Sequence, residues 1–343
     1  MGTPGADNGA DTARDAQIGA VLNEFFDRRA SGEPVSEAEF LARYPDLADE
    51  LRGHFAVLGD LRPTADRIGG LIAQGLLHRS SDPRYLAELG PYRISGFLGR
   101  GGVGLVLRAL DVTLGREIAL KILRPELADD AVALERFERE ARAAAALRHP
   151  NIVTVYAVGA LGATHYLAME LVRGANLAQL LRHVGPLPPA VCRRIVRELL
   201  AGLDAAHAAG LIHRDIKSAN VLLDGWPSLA LDDTTLAGAL EPPPGPFVKI
   251  ADFGLAQMRA AQGRITLPAA ILGTPEYMSP EQARGADHVD ARSDLYSAGV
   301  VLYEMLAGRT PFAADSVTAT LHRVSREDAV SPTRVTTNAL RAA

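Results

Sequence analysis

The chain predicts an α+β architecture in two lobes, a small strand-rich one followed by a larger helical one, behind an N-terminal helical extension. Three observations predict it: short alternating apolar runs turned at glycines between Tyr92 and Leu171, helical apolar spacing after Gly174, and a separate set of amphipathic stripes in the first quarter. Its 343 residues, 48% hydrophobic and 22% charged, suffice for one large core or two modest ones. No run approaches the roughly 18 apolar residues of a membrane span, and no basic then apolar start suggests a signal peptide, so a cytoplasmic chain without a membrane segment is expected. The lone Cys192 excludes an internal disulfide framework, and a net charge of -5 gives no pull toward nucleic acid. Of 36 basic residues only Lys121, Lys217 and Lys249 are lysine, leaving 33 arginines. An ammonium and a planar guanidinium differ chemically, so these three positions invite inspection.

Residues 1–62 form an acidic helical module, and the first 90 residues carry 15 acidic groups against 9 arginines. Ile18, Val21, Leu22, Phe25 and Phe26 recur at helical spacing. Ser36 with Glu39 reads as a capping box, and Val35 with Phe40 as its staple. Pro45 breaks that helix, and Leu47, Leu51, Phe55 and Leu58 make a third stripe. With no clustered chemical groups, the module is expected to pack, self-associate or bind a partner. Residues 63–91, richer in Gly, Pro and Ser, read as a linker with some helix.

The small lobe is assigned to 92–171. Tyr92 to Leu110 and Arg116 to Leu123 read as strands, Leu134 to Leu147 as an alanine-rich helix, and Ile152 to Val158 and His165 to Leu171 as further strands. In the large lobe, 172–343, Ala190 to Ala209, Leu295 to Leu306 and Val317 to Val324 are predicted helices. Asp224 to Phe247, with Trp226 and three successive prolines, reads as a solvent-exposed excursion.

Gly99, Gly101 and Gly104 form G-x-G-x-x-G, a spacing shared by dinucleotide folds, phosphate loops and ordinary turns. Here the chain continues as a strand through Leu105, Val106 and Leu107, so the glycines fall at a hairpin tip whose backbone N–H groups can approach phosphate oxygens; a ligand-free glycine hairpin shares the pattern. Lys121 lies on the returning strand. An apolar strand that holds an ammonium needs an anion, and Glu140 on the following helix is the candidate, the alternative being a surface network with Glu135, Glu138 and Arg139.

His213-Arg214-Asp215-Ile216-Lys217-Ser218-Ala219-Asn220, then Asp252-Phe253-Gly254, then Gly273 to Glu281 complete six motifs in order, and from Tyr92 onward the chain resembles a eukaryotic-type, Hanks-type serine/threonine protein kinase of the bacterial branch. The resemblance implies a two-lobed kinase-like fold, ATP and Mg2+ as cofactors, and protein serine or threonine hydroxyls as substrates. It implies that Asp215 orients or accepts the substrate proton, that Lys217 neutralises the transferring phosphoryl group, that Lys121 and Glu140 complete the catalytic set, and that Asn220 and Asp252 hold magnesium. Turn-capping carboxylates are the plain alternative for the two aspartates. It further implies a nucleotide pocket of Leu98, Gly99, Gly101, Gly104, Val106, Ala119, Lys121 and Leu222, with Met169 as gatekeeper and the backbones of Glu170 and Val172 on the purine edge. Arg214 is expected to pair with a phosphorylated residue in the activation segment, with Thr266 the expected acceptor or an ordinary loop threonine. Thr274 is expected to contact Asp215 and Lys217, and Asp294 to anchor the catalytic loop.

The familiar pattern continues past Asn338 for further helices, one of which pairs an arginine with the glutamate matching Glu281. Their absence from the sequence predicts an uncovered apolar face on Leu295 to Leu306 and an unpaired Glu281. The function implied is an ATP-dependent protein serine/threonine kinase that autophosphorylates in its activation segment, the alternative being a catalytically weak nucleotide-binding scaffold.

Overall fold

The computed structural model describes residues 21, 41, 43–47, 51, 64–101, 103–128, 130–226, 242–253, 275–286 and 289–333. The chain divides into two compact units, Met1–Gly70 and Leu71–Ala343. In the first, Val21, Leu47 and Leu51 of the predicted stripes are buried, and Pro45–Leu47 is a short 3-10 turn where the proline was expected to break a helix. The remaining residues of those stripes lie outside the described residues, as do Thr266, Gly254 and Thr274.

Helix α1 (Thr64–Ala73) ends where Gly75 turns at φ 73°, its N–H and that of Leu76 closing back on Ile72 and Leu71. The chain then returns as β1 (Ala87–Leu89), so the segment read as a linker supplies both a helix and the edge strand of the main sheet. Its apolar alternation spans only three residues, too few to stand out as a period, yet Leu76, Leu77, Ala87 and Leu89 are all buried.

Strands β2 (Tyr92–Arg100), β3 (Gly104–Asp111), β4 (Arg116–Leu123), β5 (Val155–Leu161) and β6 (Thr164–Glu170) complete an antiparallel sheet in the order β1-β2-β3-β4-β6-β5. The β2–β3 pairing shifts register at Gly96 and Gly99, which twists the hairpin tip that carries the glycines. β5 begins later than the sequence predicts because Asn151 to Val153 bond a large-lobe strand instead: the Ile250 N–H reaches the Asn151 carbonyl at 2.9 Å and the Val153 N–H the Ile250 carbonyl at 3.0 Å. After the short α2 (Pro125–Ala128), α3 (Ala131–Ala146) buries Phe137, Glu140, Ala141 and Ala144 on one face, the i, i+3, i+4, i+7 spacing of a packed helix.

In the large lobe, α4 (Leu177–Val184) starts at an Asn176–Gln179 capping box, and α5 (Pro189–Ala208) packs on α7 (Ala291–Ala307). Ile195, Leu199 and Leu203 of α5 share one core with Val300, Val301 and Met305 of α7; each fully buried side chain of this kind stabilises by about 1.5–3 kcal/mol. The hairpin of β7 (Val221–Leu223) and β8 (Val248–Ile250) carries the predicted excursion between its strands. Its described ends are anchored at two points while Gly225 and Pro244 to Pro246 are exposed: Trp226 and Phe247 are buried with ring centroids 5.4 Å apart, and Arg194 of α5 bonds the carbonyls of Pro242, Pro243 and Gly245. Helices α6 (Pro280–Ala283) and α8 (Val317–Arg326) close the described lobe. On α7, Leu295 is 49% exposed, while Ala298, Val300, Val301, Tyr303 and Met305 are buried. Among the described residues no helix is long and apolar enough to cross a membrane.

Candidate active site

The glycine hairpin is closed by the Gly101 N–H on the Gly104 carbonyl at 2.8 Å. A Cβ on Gly104 would lie 1.9 Å from the Ile122 carbonyl oxygen, so only glycine lets β3 approach β4 this closely. Behind the tip, Val106 is opposite Lys121 and also beside Gly99, while Ala119 is opposite Met169. Ala119 and Met169 are buried, Val106, Val172 and Leu222 are partly buried against the same core, and Leu98 stands 48% exposed at the rim. The sheet register therefore gathers the small-lobe residues of the expected nucleotide pocket around one end.

Lys121, 2% exposed, places its Nζ 2.7 Å from Asp252 Oδ1. The expected partner Glu140 is buried on α3, but among the described residues the carboxylate paired with Lys121 is that of Asp252. The reason is backbone geometry. Asp252 follows β8 with φ 64°, a left-handed conformation that turns its carboxylate toward the small lobe. A buried ammonium requires a nearby anion, and this one arrives from 131 residues along the chain, a pairing that spacing alone could not select.

The catalytic-loop residues meet at Asp215. Lys217 Nζ lies 2.9 and 3.1 Å from its two carboxylate oxygens, and Asn220 Nδ2 donates to the Asp215 carbonyl at 2.7 Å. With its nitrogen so used, Asn220 keeps its amide oxygen for another partner. The loop is held from behind by Asp294, which is fully buried and accepts from the His213 and Arg214 N–H groups at 2.8 and 2.7 Å and from His207 Nε2 at 2.7 Å. His213 in turn contacts the Ala251 carbonyl through Nε2 at 2.9 Å and packs its ring edge-on to Phe253 at 4.7 Å. Among the described residues the only non-glycine positions with positive φ are Arg214, next to Asp215, and Asp252 itself. Strained backbone persists where the surroundings over-determine it, and here buried polar contacts do so.

A second buried cluster escaped the sequence reading. Ser218 Oγ is 2.9 Å from Tyr277 Oη, which donates to Glu304 Oε2 at 2.7 Å, so the segment of the last quoted motif is tied to the loop between His213 and Asn220. Burial, with Glu304 beside it, pushes the Tyr277 hydroxyl far up, and burial raises the Glu304 carboxyl against the opposing hydrogen bonds from Tyr277 and Ser218. Tyr277 lies inside a quoted motif, but nothing in spacing pointed to Glu304 or to His207. Gln282 Nε2 also donates to the Arg214 carbonyl at 2.9 Å. Glu281, expected to lack a partner, accepts instead from the Ser293 hydroxyl. Burial raises its carboxyl, yet the bonds from Ser293, its own backbone and Ser279 outweigh that and hold it below the usual range.

The donor set fits a nucleotide and its metal. Asp252 and Asn220 offer hard oxygens of the kind magnesium takes together with phosphates and water, and the buried Lys121 ammonium lies against Asp252. A two-lobed fold with these groups in order is that of the protein kinase class.

Comparison with known proteins reaches the same class. The family model described as "Protein kinase domain" matches residues 92–340, and the chain belongs to that family. It is 41% identical over 247 residues to the serine/threonine-protein kinase PknB of Mycobacterium leprae, 40% identical over 255 residues to that of Mycobacterium tuberculosis, and 39% identical over 247 residues to pkn3 of Myxococcus xanthus. These matches cover 71%, 73% and 71% of the chain but only 36%, 37% and 42% of the relatives. Among solved structures, a double mutant of the Mycobacterium tuberculosis PknI kinase domain superposes with a TM-score of 0.52 at 25% identity, covering 73% of this chain and 83% of that one.

Proposed function

We propose that this chain is an ATP-dependent protein serine/threonine kinase. The observation that carries the reading is the 2.7 Å Lys121–Asp252 pair, which joins the glycine hairpin's neighbouring strand to the loop region where Asp215, Lys217 and Asn220 already touch. In this reading Lys121 and the glycine backbone bind the phosphates, and the backbones of Glu170 and Val172 meet the purine edge. Asn220 and Asp252 would hold magnesium, which would supply charge neutralisation at the phosphoryl oxygens. Asp215, oriented by Lys217 and Asn220, takes the proton of a serine or threonine hydroxyl. The hydroxyl oxygen forms its bond to the γ-phosphorus as the bond to the β-phosphate oxygen breaks, and ADP leaves. Lys217 meets the charge on the transferring group. Catalysis on this account is positioning and electrostatics.

The test incubates the purified chain with labelled ATP, magnesium and a generic basic protein, beside Asp215→Asn. Transfer to serine or threonine is expected, and it should fall by about a thousandfold or more in the variant with its thermal unfolding unchanged. Nucleotide binding without transfer in the unmutated chain would support a scaffold instead. Autophosphorylation at Thr266, read by Arg214, extends the proposal; intact mass after ATP treatment should rise, and Thr266→Ala should lose that increment together with activity that depends on it.

A further inference from the structure

Lys249 is the third lysine of an arginine-written chain, and the phosphoryl-transfer reading gives it no task. Its Nζ lies 2.6 Å from Glu170 Oε1, with the two side chains 13% and 21% exposed. Glu170 ends β6, and Lys249 is the central residue of β8, three positions before Asp252. The pair thus ties the strand whose end presents the purine-edge backbone to the strand that delivers the metal-binding aspartate.

The surroundings fix both ends. Glu170 Oε2 accepts from the Thr154 N–H at 3.1 Å, and the Glu170 N–H donates to the Thr154 carbonyl at 2.9 Å, so both carboxylate oxygens and the backbone N–H of that residue are committed. Lys249 is cross-strand from Leu222, the residue expected beneath the purine, and Leu222 is bridged to Asn176. Next to Lys249, Ile250 bonds Asn151 and Val153 on both sides. An ion pair taken largely out of water recovers its desolvation cost poorly, so such a pair is better suited to setting register than to adding stability. A compact ammonium on a flexible stem fits one oxygen between two strands where a forked guanidinium would demand more room.

We infer that Lys249 and Glu170 form a positioning clamp that fixes the purine-edge backbone relative to Asp252 and thereby sets nucleotide affinity. The inference rests on the kinase reading above. Neither side chain is a catalytic residue; both act through the backbone and strand they hold. A natural control lies close by. Arg173 crosses from the adjoining segment to Glu117 at 2.9 Å, but its side chain is 75% exposed and its partner 33%, a geometry in which solvent screens the attraction.

The experiment measures kcat and KM for ATP with a peptide substrate, the dissociation constant of a non-hydrolysable ATP analogue with magnesium by calorimetry, and thermal unfolding, all on the full chain. Lys249→Met and Glu170→Gln should each weaken analogue binding and raise KM by about tenfold while kcat stays within about twofold, the split expected when a binding contact is misplaced rather than removed from the chemistry. The double variant should be no worse than the worse single one, since one interaction is lost either way. Lys249→Arg keeps the charge but needs more room, so it should recover only part of the binding, and Arg173→Ala should stay within about twofold of the parent. Unchanged KM in Lys249→Met, losses confined to kcat, or additive losses in the double variant would each overturn the clamp. Should Lys249→Met fail to fold, Glu170→Gln decides the matter, because its amide oxygen still accepts the Thr154 N–H. A parent chain that binds and transfers but is indifferent to both substitutions overturns the clamp alone; one that neither binds nor transfers overturns the kinase reading with it.

Discussion

In the small lobe, the backbone groups of β2, β3, β4 and β6 bond one another in a continuous antiparallel ladder, and side chains mainly fill the space behind it. Between His213 and Asn220 the backbone leaves regular structure, and side chains take over: Asp294 holds two N–H groups, Gln282 holds a carbonyl and Asn220 another. Backbone polar groups must be satisfied in either place. The ladder does so by repetition and tolerates change at its surface, whereas the loop depends on single residues that have no substitute. A site that requires unusual backbone angles is therefore built where buried polar side chains can enforce them.

The largest break in this comparison should come from Asp294→Ala. It strips two buried N–H groups and His207 of their acceptor, and unfolding free energy should drop by about 3–5 kcal/mol. Phosphoryl transfer in the fraction that stays folded should fall by about a hundredfold, as Asp215 loses its support. Chemical denaturation and single-turnover rates read the two effects separately. The one ladder position with comparable sensitivity is Gly104, where a methyl group would collide with the Ile122 carbonyl. Gly104→Ala should cost about 1–3 kcal/mol and raise KM for ATP, checked by urea midpoints and steady-state kinetics.

Glu304 sharpens the comparison by pH. Its carboxyl is raised by burial, so the folded protein binds this proton more tightly than the unfolded chain does, and its contribution is favourable at low pH and lost as pH rises from 4.5 through the raised value. Relative to the parent, Glu304→Gln should therefore gain more in urea midpoint at pH 8 than at pH 4.5. The smallest effect belongs to the small-lobe surface. The Arg142–Glu138 pair is an i, i+4 contact with side chains 72% and 36% exposed, and Arg142→Ala should change stability by less than about 0.5 kcal/mol at physiological salt.

Local chemistry was readable in the chain where it repeats or clusters. Short apolar runs turned at glycines marked β2, β4 and β6, helical spacing marked α3, α5 and α7, and Asp215, Lys217 and Asn220 stand within six residues of one another, so their meeting needs only a tight loop. β1 was hidden because three residues carry no period, and β5 was placed early because Ile152 and Val153 are as apolar as a strand residue but pair with β8. The excursion read as exposed because composition cannot reveal that Arg194 and the Trp226–Phe247 contact pull its ends inward.

The order of the elements, the candidate reacting groups and the places where a lysine stands among arginines are all readable along the chain. The folded backbone alone brings Lys121 to Asp252, Lys249 to Glu170 and the Ser293 hydroxyl to Glu281. The physical reason is range. Periodicity and loop chemistry act over a few residues, whereas a buried charge takes whichever partner the folded backbone brings within about 3 Å, however distant in sequence.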